Sequence, residues 1–99
     1  MSTTLHVIAH SPHGDERLRS CLRVMGARDG LLLCGDGVQA LRPGSEPCQT
    51  FGAAALQGRL FVLAEDLQAR AIADELAEVV DYPGFVELTL RYDKVNTWL

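Results

Sequence analysis

Three cysteines, Cys21, Cys34 and Cys48, are the residues of this 99-residue chain best suited to covalent chemistry. A cysteine that acts as a nucleophile works as the thiolate, which forms where the local potential is positive. Arg17, Arg19 and Arg23 surround Cys21 in sequence and would lower its pKa, which makes Cys21 the candidate catalytic residue. Yet Cys21 also shares an i, i+3, i+4, i+7 stripe with Leu18, Leu22 and Met25, where a cysteine behaves as a small hydrophobe. Nucleophilic chemistry and core packing therefore both stay open for it. Cys34 closes the apolar run Leu31–Cys34. The C-terminal ends of strands in open α/β sheets face the ligand crevice, but a cysteine there also simply packs. Cys48, beside Pro47 at a loop–helix junction, is assigned no role.

The other candidates are weaker. His6 and His10 are four residues apart on one strand, so their Cα atoms lie about 13 Å apart. His10 and His13 could meet across a turn, but a third ligand is lacking, so no metal is expected. Gly35-Asp36-Gly37 lacks the spacing of a phosphate-binding glycine loop. Asp36 is expected to cap the helical turn behind it, with an interface or anion-site role as the alternative, and Gly37 to serve the turn. A small-ligand module using this crevice is the reading from another functional class. No cofactor is implied. Trp98, with Phe85 and Tyr92, suits an interface anchor, or else folds back on its own core.

Composition limits the functions further. A net charge of −4 argues against direct nucleic-acid binding, which needs a basic face. Three cysteines without a CxxC or a disulfide framework suit a reducing compartment. No signal peptide or membrane-length apolar run is visible, so a cytoplasmic location is expected.

The elements that must position these residues follow from the apolar pattern. Thr3–Ala9 reads as a first strand, and Ser11 with Pro12 as the start of a helix running to about Ala27. Gly30–Cys34 is an uncharged strand buried on both faces, stopped by Gly35-Asp36-Gly37. Asp36–Leu41 is a short helical turn, residues 42–47 a loop, and Cys48–Leu56 a helix. Leu60–Leu63 is a third strand. Glu65-Asp66 opens a helix ending near Asp74, and Ala77–Asp81 is a short fourth strand. Asp81-Tyr82-Pro83-Gly84 favours a helix over Phe85–Tyr92, although Val86, Leu88 and Leu90 alternate as in a strand. The tail after Asp93 is polar apart from Val95, Trp98 and Leu99. The alternation predicts one α/β domain over residues 1–99, a three-layer α/β/α fold with a small, mostly parallel sheet of four to five strands.

Three stretches in this order, LHVIAHSP at Leu5–Pro12, LLLCGDGV at Leu31–Val38, and EDLQAR with VVDYPGFVELTLRY at Glu65–Arg70 and Val79–Tyr92, resemble the TusB/DsrH family of sulfur-relay subunits. The terminal Trp98 fits as well, and the resemblance spans nearly the whole chain. It implies a DsrE-like fold and a heterohexamer with two homologous sister subunits, TusC/TusD-like or DsrE/DsrF-like, and a downstream sulfur-acceptor protein. It implies persulfide transfer towards 2-thiolation of the wobble uridine in tRNA, with the main sulfur-accepting cysteine on a sister and this chain mainly structural. The alternative is a persulfide-carrying subunit of dissimilatory sulfur oxidation using Cys21, a position where the DsrH branch has a cysteine and TusB-like members usually do not. The segment between Ile72 and Val79 is shorter than the family pattern.

Overall fold

The computed structural model describes residues 2–13, 15–43, 45, 56, 58–73 and 76–98. The expected helix over Cys48–Leu56 lies outside them except for Leu56, as do Cys48 and Leu99. The uncharged run Gly30–Leu33 forms strand β2, every residue of which is buried. It lies between β1, Thr4–Ile8, and β3, Leu60–Leu63, as a strand covered on both faces must. Beyond β3 lies β4, Glu78–Val80, and beyond β1 lies β5, Lys94–Trp98, which gives the order β4-β3-β2-β1-β5. All four pairings are parallel.

Strand order dictates the layers. From β1 to β4 the chain steps in one direction, so right-handed crossovers keep its helices on one face. There α1, Arg17–Val24, a 3-10 helix, Gly35–Leu41, and α2, Ala64–Ala69, pack Leu18, Cys21, Val38, Leu41 and Leu67 against Ile8, Leu31, Leu33 and Val62. The step from β4 to β5 runs back across the sheet and puts α3, Tyr82–Arg91, on the other face. Leu88 and Phe85 of α3 cover Leu5, Val7, Leu32 and Phe61. The result is the three-layer α/β/α fold expected, with the sheet wholly rather than mostly parallel.

Several boundaries differ from expectation. Ser11 and Pro12 do not open α1. The Ser11 hydroxyl accepts from the His13 N–H two residues on, at 3.3 Å, which ties it into a local turn. Asp15 instead accepts from the Arg17 N–H at 2.8 Å, and its carboxylate also pairs with the Arg17 guanidinium. The helix stops at Val24 rather than Ala27, because Met25 is extended and Gly26 donates its N–H to Asp29 Oδ2 at 2.8 Å. Helix α2 begins one residue before Glu65 and ends at Ala69, short of Asp74, because Ala71 turns the chain at φ 52°. The polar tail holds strand β5, whose composition reflects an edge position with four of five residues exposed.

At α3 the helix reading holds. The Asp81 carboxylate accepts the Gly84 N–H at 2.8 Å and Pro83 sits in the first turn, where it needs no donor. Asp81→Ala should lower stability by about 1 kcal/mol, the usual worth of such a cap. Urea unfolding checks it, and an unchanged midpoint would show that α3 is held by packing alone.

Candidate functional site

The sheet changes winding direction at β1, where the connection from β1 leads to β2 and the return from β4 arrives at β5. Crevices for ligands form at the C-terminal strand ends beside such a reversal. Cys34 follows β2 there, its N–H bonded to the Ile8 carbonyl at 3.1 Å. Gly35 takes a left-handed φ of 51°, and its N–H donates to Asp66 Oδ2 at 2.7 Å. Gly37 packs so closely that a Cβ would lie 2.3 Å from the Ile8 carbonyl oxygen.

Asp36 is not a cap. The 3-10 helix already starts at Gly35, so Asp36 falls inside its first turn, and no side chain caps it. Asp36 Oδ1 instead accepts from Arg70 Nη2 at 2.9 Å and Nε at 3.2 Å. Asp66 and Arg70 thus fasten the Gly35-Asp36-Gly37 turn to α2 and its end.

Neither described thiol is poised as a nucleophile. Cys21 is fully buried on α1, and burial, with the charge of Asp29 added, pushes its thiol up to about 12. Cys34 is half-buried, and burial together with Asp66 raises its thiol as well. The arginines expected to activate Cys21 do not offset this, since Arg19 and Arg23 are exposed while Cys21 points into the core. Both cysteines are protonated near neutral pH, and thiols in that form are poor attackers.

The histidines separate. His10 and His13 are exposed, whereas His6 is buried in β1 and carries a contact that sequence reasoning missed. Trp98 Nε1 donates to His6 Nδ1 at 3.1 Å, and His6 Nε2 lies 3.3 Å from Asp29 Oδ2. Burial alone would push the Asp29 carboxyl up. Hydrogen bonds from Gly26, Thr4 and His6 hold it below the usual carboxylate range instead. Among the described residues no three His, Cys, Asp or Glu side chains gather as a metal site.

The aromatic residues read as interface anchors or as folded back on their own core are partly buried. Trp98 is packed against the core on the α1 side, and Phe85 and Tyr92 are packed against the core under α3. Several apolar residues face outward, Val24 of α1 and Val79 of β4 among them. Tyr82, Val86 and Leu90 are 57%, 58% and 80% exposed on α3, and Val95 of β5 is 44% exposed. Their i, i+4, i+8 spacing on one helix was the available signal. The alternation of Val86, Leu88 and Leu90 drew attention to period two instead.

Among the described residues no helix is long and apolar enough to cross a membrane. A family model described as DsrH like protein matches residues 10–95. The chain is 36% identical over 97 residues to Protein TusB of Erwinia tasmaniensis, covering 95% of this chain and 99% of that one. Protein TusB of Klebsiella pneumoniae is also 36% identical, over 98 residues, with the same coverage. Protein TusB of Enterobacter sp. (strain 638) is 33% identical over 98 residues. The crystal structure of the ychN protein from E. coli superposes with a TM-score of 0.76 at 20% identity, over 99% of this chain and all of that one, which supports the fold. Motif order, an all-parallel sheet and a match over most of its length thus place this chain in the DsrH family.

Proposed function

We propose that this chain is a subunit of a heteromeric sulfur-relay complex, one that passes persulfide sulfur towards 2-thiolation of the wobble uridine in tRNA, and that its part is mainly structural. The observation that carries the reading is a contrast. Both described thiols are withdrawn into the fold, while α3 presents the apolar stripe Tyr82, Val86 and Leu90 outward. Exposed apolar stripes of this kind serve contacts between chains better than they serve water. The resemblance supplies the partners, two homologous sister subunits in a cytoplasmic heterohexamer, with the reactive cysteine on a sister. The similarity to proteins named TusB supports the tRNA branch over sulfur oxidation.

Co-expression with the two sister chains tests this. A single larger species on sizing is expected. Val86→Asp with Leu90→Asp should release this chain as a folded monomer, because polar replacements at exposed positions cost little stability. Loading the complex from a persulfide donor should add sulfur to a sister cysteine and leave Cys21 unmodified on mass spectrometry. A monomer that ignores both sisters, or a sulfur on Cys21 that is absent in Cys21→Ser, would overturn the structural role.

A further inference from the structure

The chain's only tryptophan ends β5, the edge strand, and its indole N–H can only donate. The acceptor, His6 Nδ1 at 3.1 Å, therefore carries no proton. The other ring nitrogen faces Asp29 Oδ2 at 3.3 Å, and an ionised carboxylate only accepts, so Nε2 carries the proton. Two separate parts of the fold thus set one tautomer of a neutral imidazole. Asp29 itself is fixed by main-chain donors, Thr4 N–H at 3.0 Å and Gly26 N–H at 2.8 Å. The end of β5 is in this way tied, through a buried ring on β1, to the loop that leads into β2.

A protonated imidazole has two N–H donors and no acceptor. Its Nδ1–H would then oppose the Trp98 N–H, donor against donor, while its attraction to Asp29 grows. One end of the chain of contacts breaks as the other tightens. We propose that Trp98, His6 and Asp29 form an acid-sensitive latch: neutral His6 fastens the last strand to the sheet, and protonated His6 lets Trp98 go.

Among the described residues, Asp29 is the charged group paired with His6. Its register partners, Leu31 on β2 and Asn96 on β5, are uncharged. Cys21 of α1 packs over the same sheet face as a protonated thiol. Lys94 lies on that face of β5 four residues before Trp98, and the Arg59 guanidinium donates to the main-chain carbonyl of Asp29 at 2.8 Å. Among the described residues β5 pairs with β1 alone, and Trp98 at its end is held both by the latch and by packing against the α1-side core.

The test uses the intact chain, with its single tryptophan as reporter. As the pH is lowered from neutral, tryptophan emission should shift to the red with the same midpoint as the His6 Cε1–H resonance. Exchange protection of the indole N–H should fall about fivefold, the factor that one hydrogen bond of ordinary net strength confers. His6→Gln, which cannot titrate, should abolish the step. A step that persists in His6→Gln at the same pH would overturn the latch. So would an Nδ1–H tautomer in the long-range proton–nitrogen spectrum of the unaltered chain at neutral pH, a measurement that needs no variant to fold. The latch concerns this chain alone, so its failure would leave the sulfur-relay reading standing.

Discussion

Alkylation of Cys21 near neutral pH should run about a thousandfold more slowly in the folded chain than in the unfolded one. Burial, with Asp29 adding, moves the thiol from an ordinary 9.0 to about 12, and each unit removes nine-tenths of the remaining thiolate. Iodoacetamide labelling followed by peptide mass mapping measures the rate, with the chain in urea as reference. Equal rates in the two states would mean that the thiol is open. The same displacement has a signed effect on stability. The folded state holds its proton more tightly than the unfolded one, so this contribution is complete below about pH 9 and is lost as pH rises towards about 12. A role for Cys21 in sulfur transfer would thus need α1 to lift from the sheet, whereas a packing role needs nothing to move.

Gly37→Ala should cost about 3 kcal/mol, near the upper end of what added bulk costs in a tight core and a large part of a small domain's stability. The reason is contact rather than backbone conformation. Gly37 is absent from the left-handed glycines, Gly35 and Gly58, yet its Cβ would sit 2.3 Å from the Ile8 carbonyl oxygen. That oxygen belongs to a central strand and already accepts the Cys34 N–H, so it cannot move aside. Gly58→Ala gives the comparison, with φ at 77° but nothing within 4 Å of the added carbon. Thermal and urea unfolding of the two variants separate the causes. A Gly37→Ala loss no larger than that of Gly58→Ala would show that the turn can back away from β1.

Buried strands were the most legible part of the chain, because a strand covered on both faces must be uncharged and short, as Leu31–Leu33 and Leu60–Leu63 are. The last strand was hidden for the converse reason. An edge strand exposes most of its side chains, so Lys94, Asn96 and Thr97 read as a polar tail. Asp36 showed that a carboxylate in a glycine turn has more than one way to be satisfied, and the choice fell to an arginine 34 residues away. Cys21 illustrates the limit of local reasoning about charge. Arg19 and Arg23 are exposed, while Cys21 packs into the apolar core with Asp29 as the charge that acts on it. His6 and Trp98 are 92 residues apart, a contact that no local period can signal.

Pairing of the first strand with the last has a consequence for synthesis. The Lys94 N–H bonds to the Thr3 carbonyl at 3.0 Å, so this edge of β1 is covered only once β5 has been made. During translation β1 must wait, with one edge open, until the C-terminal strand has cleared the ribosome. Contacts spanning nearly the full length are slow to form. Until β5 emerges the nascent chain carries a strand with one edge unprotected, the interval in which capture by a chaperone or pairing with another chain competes with folding.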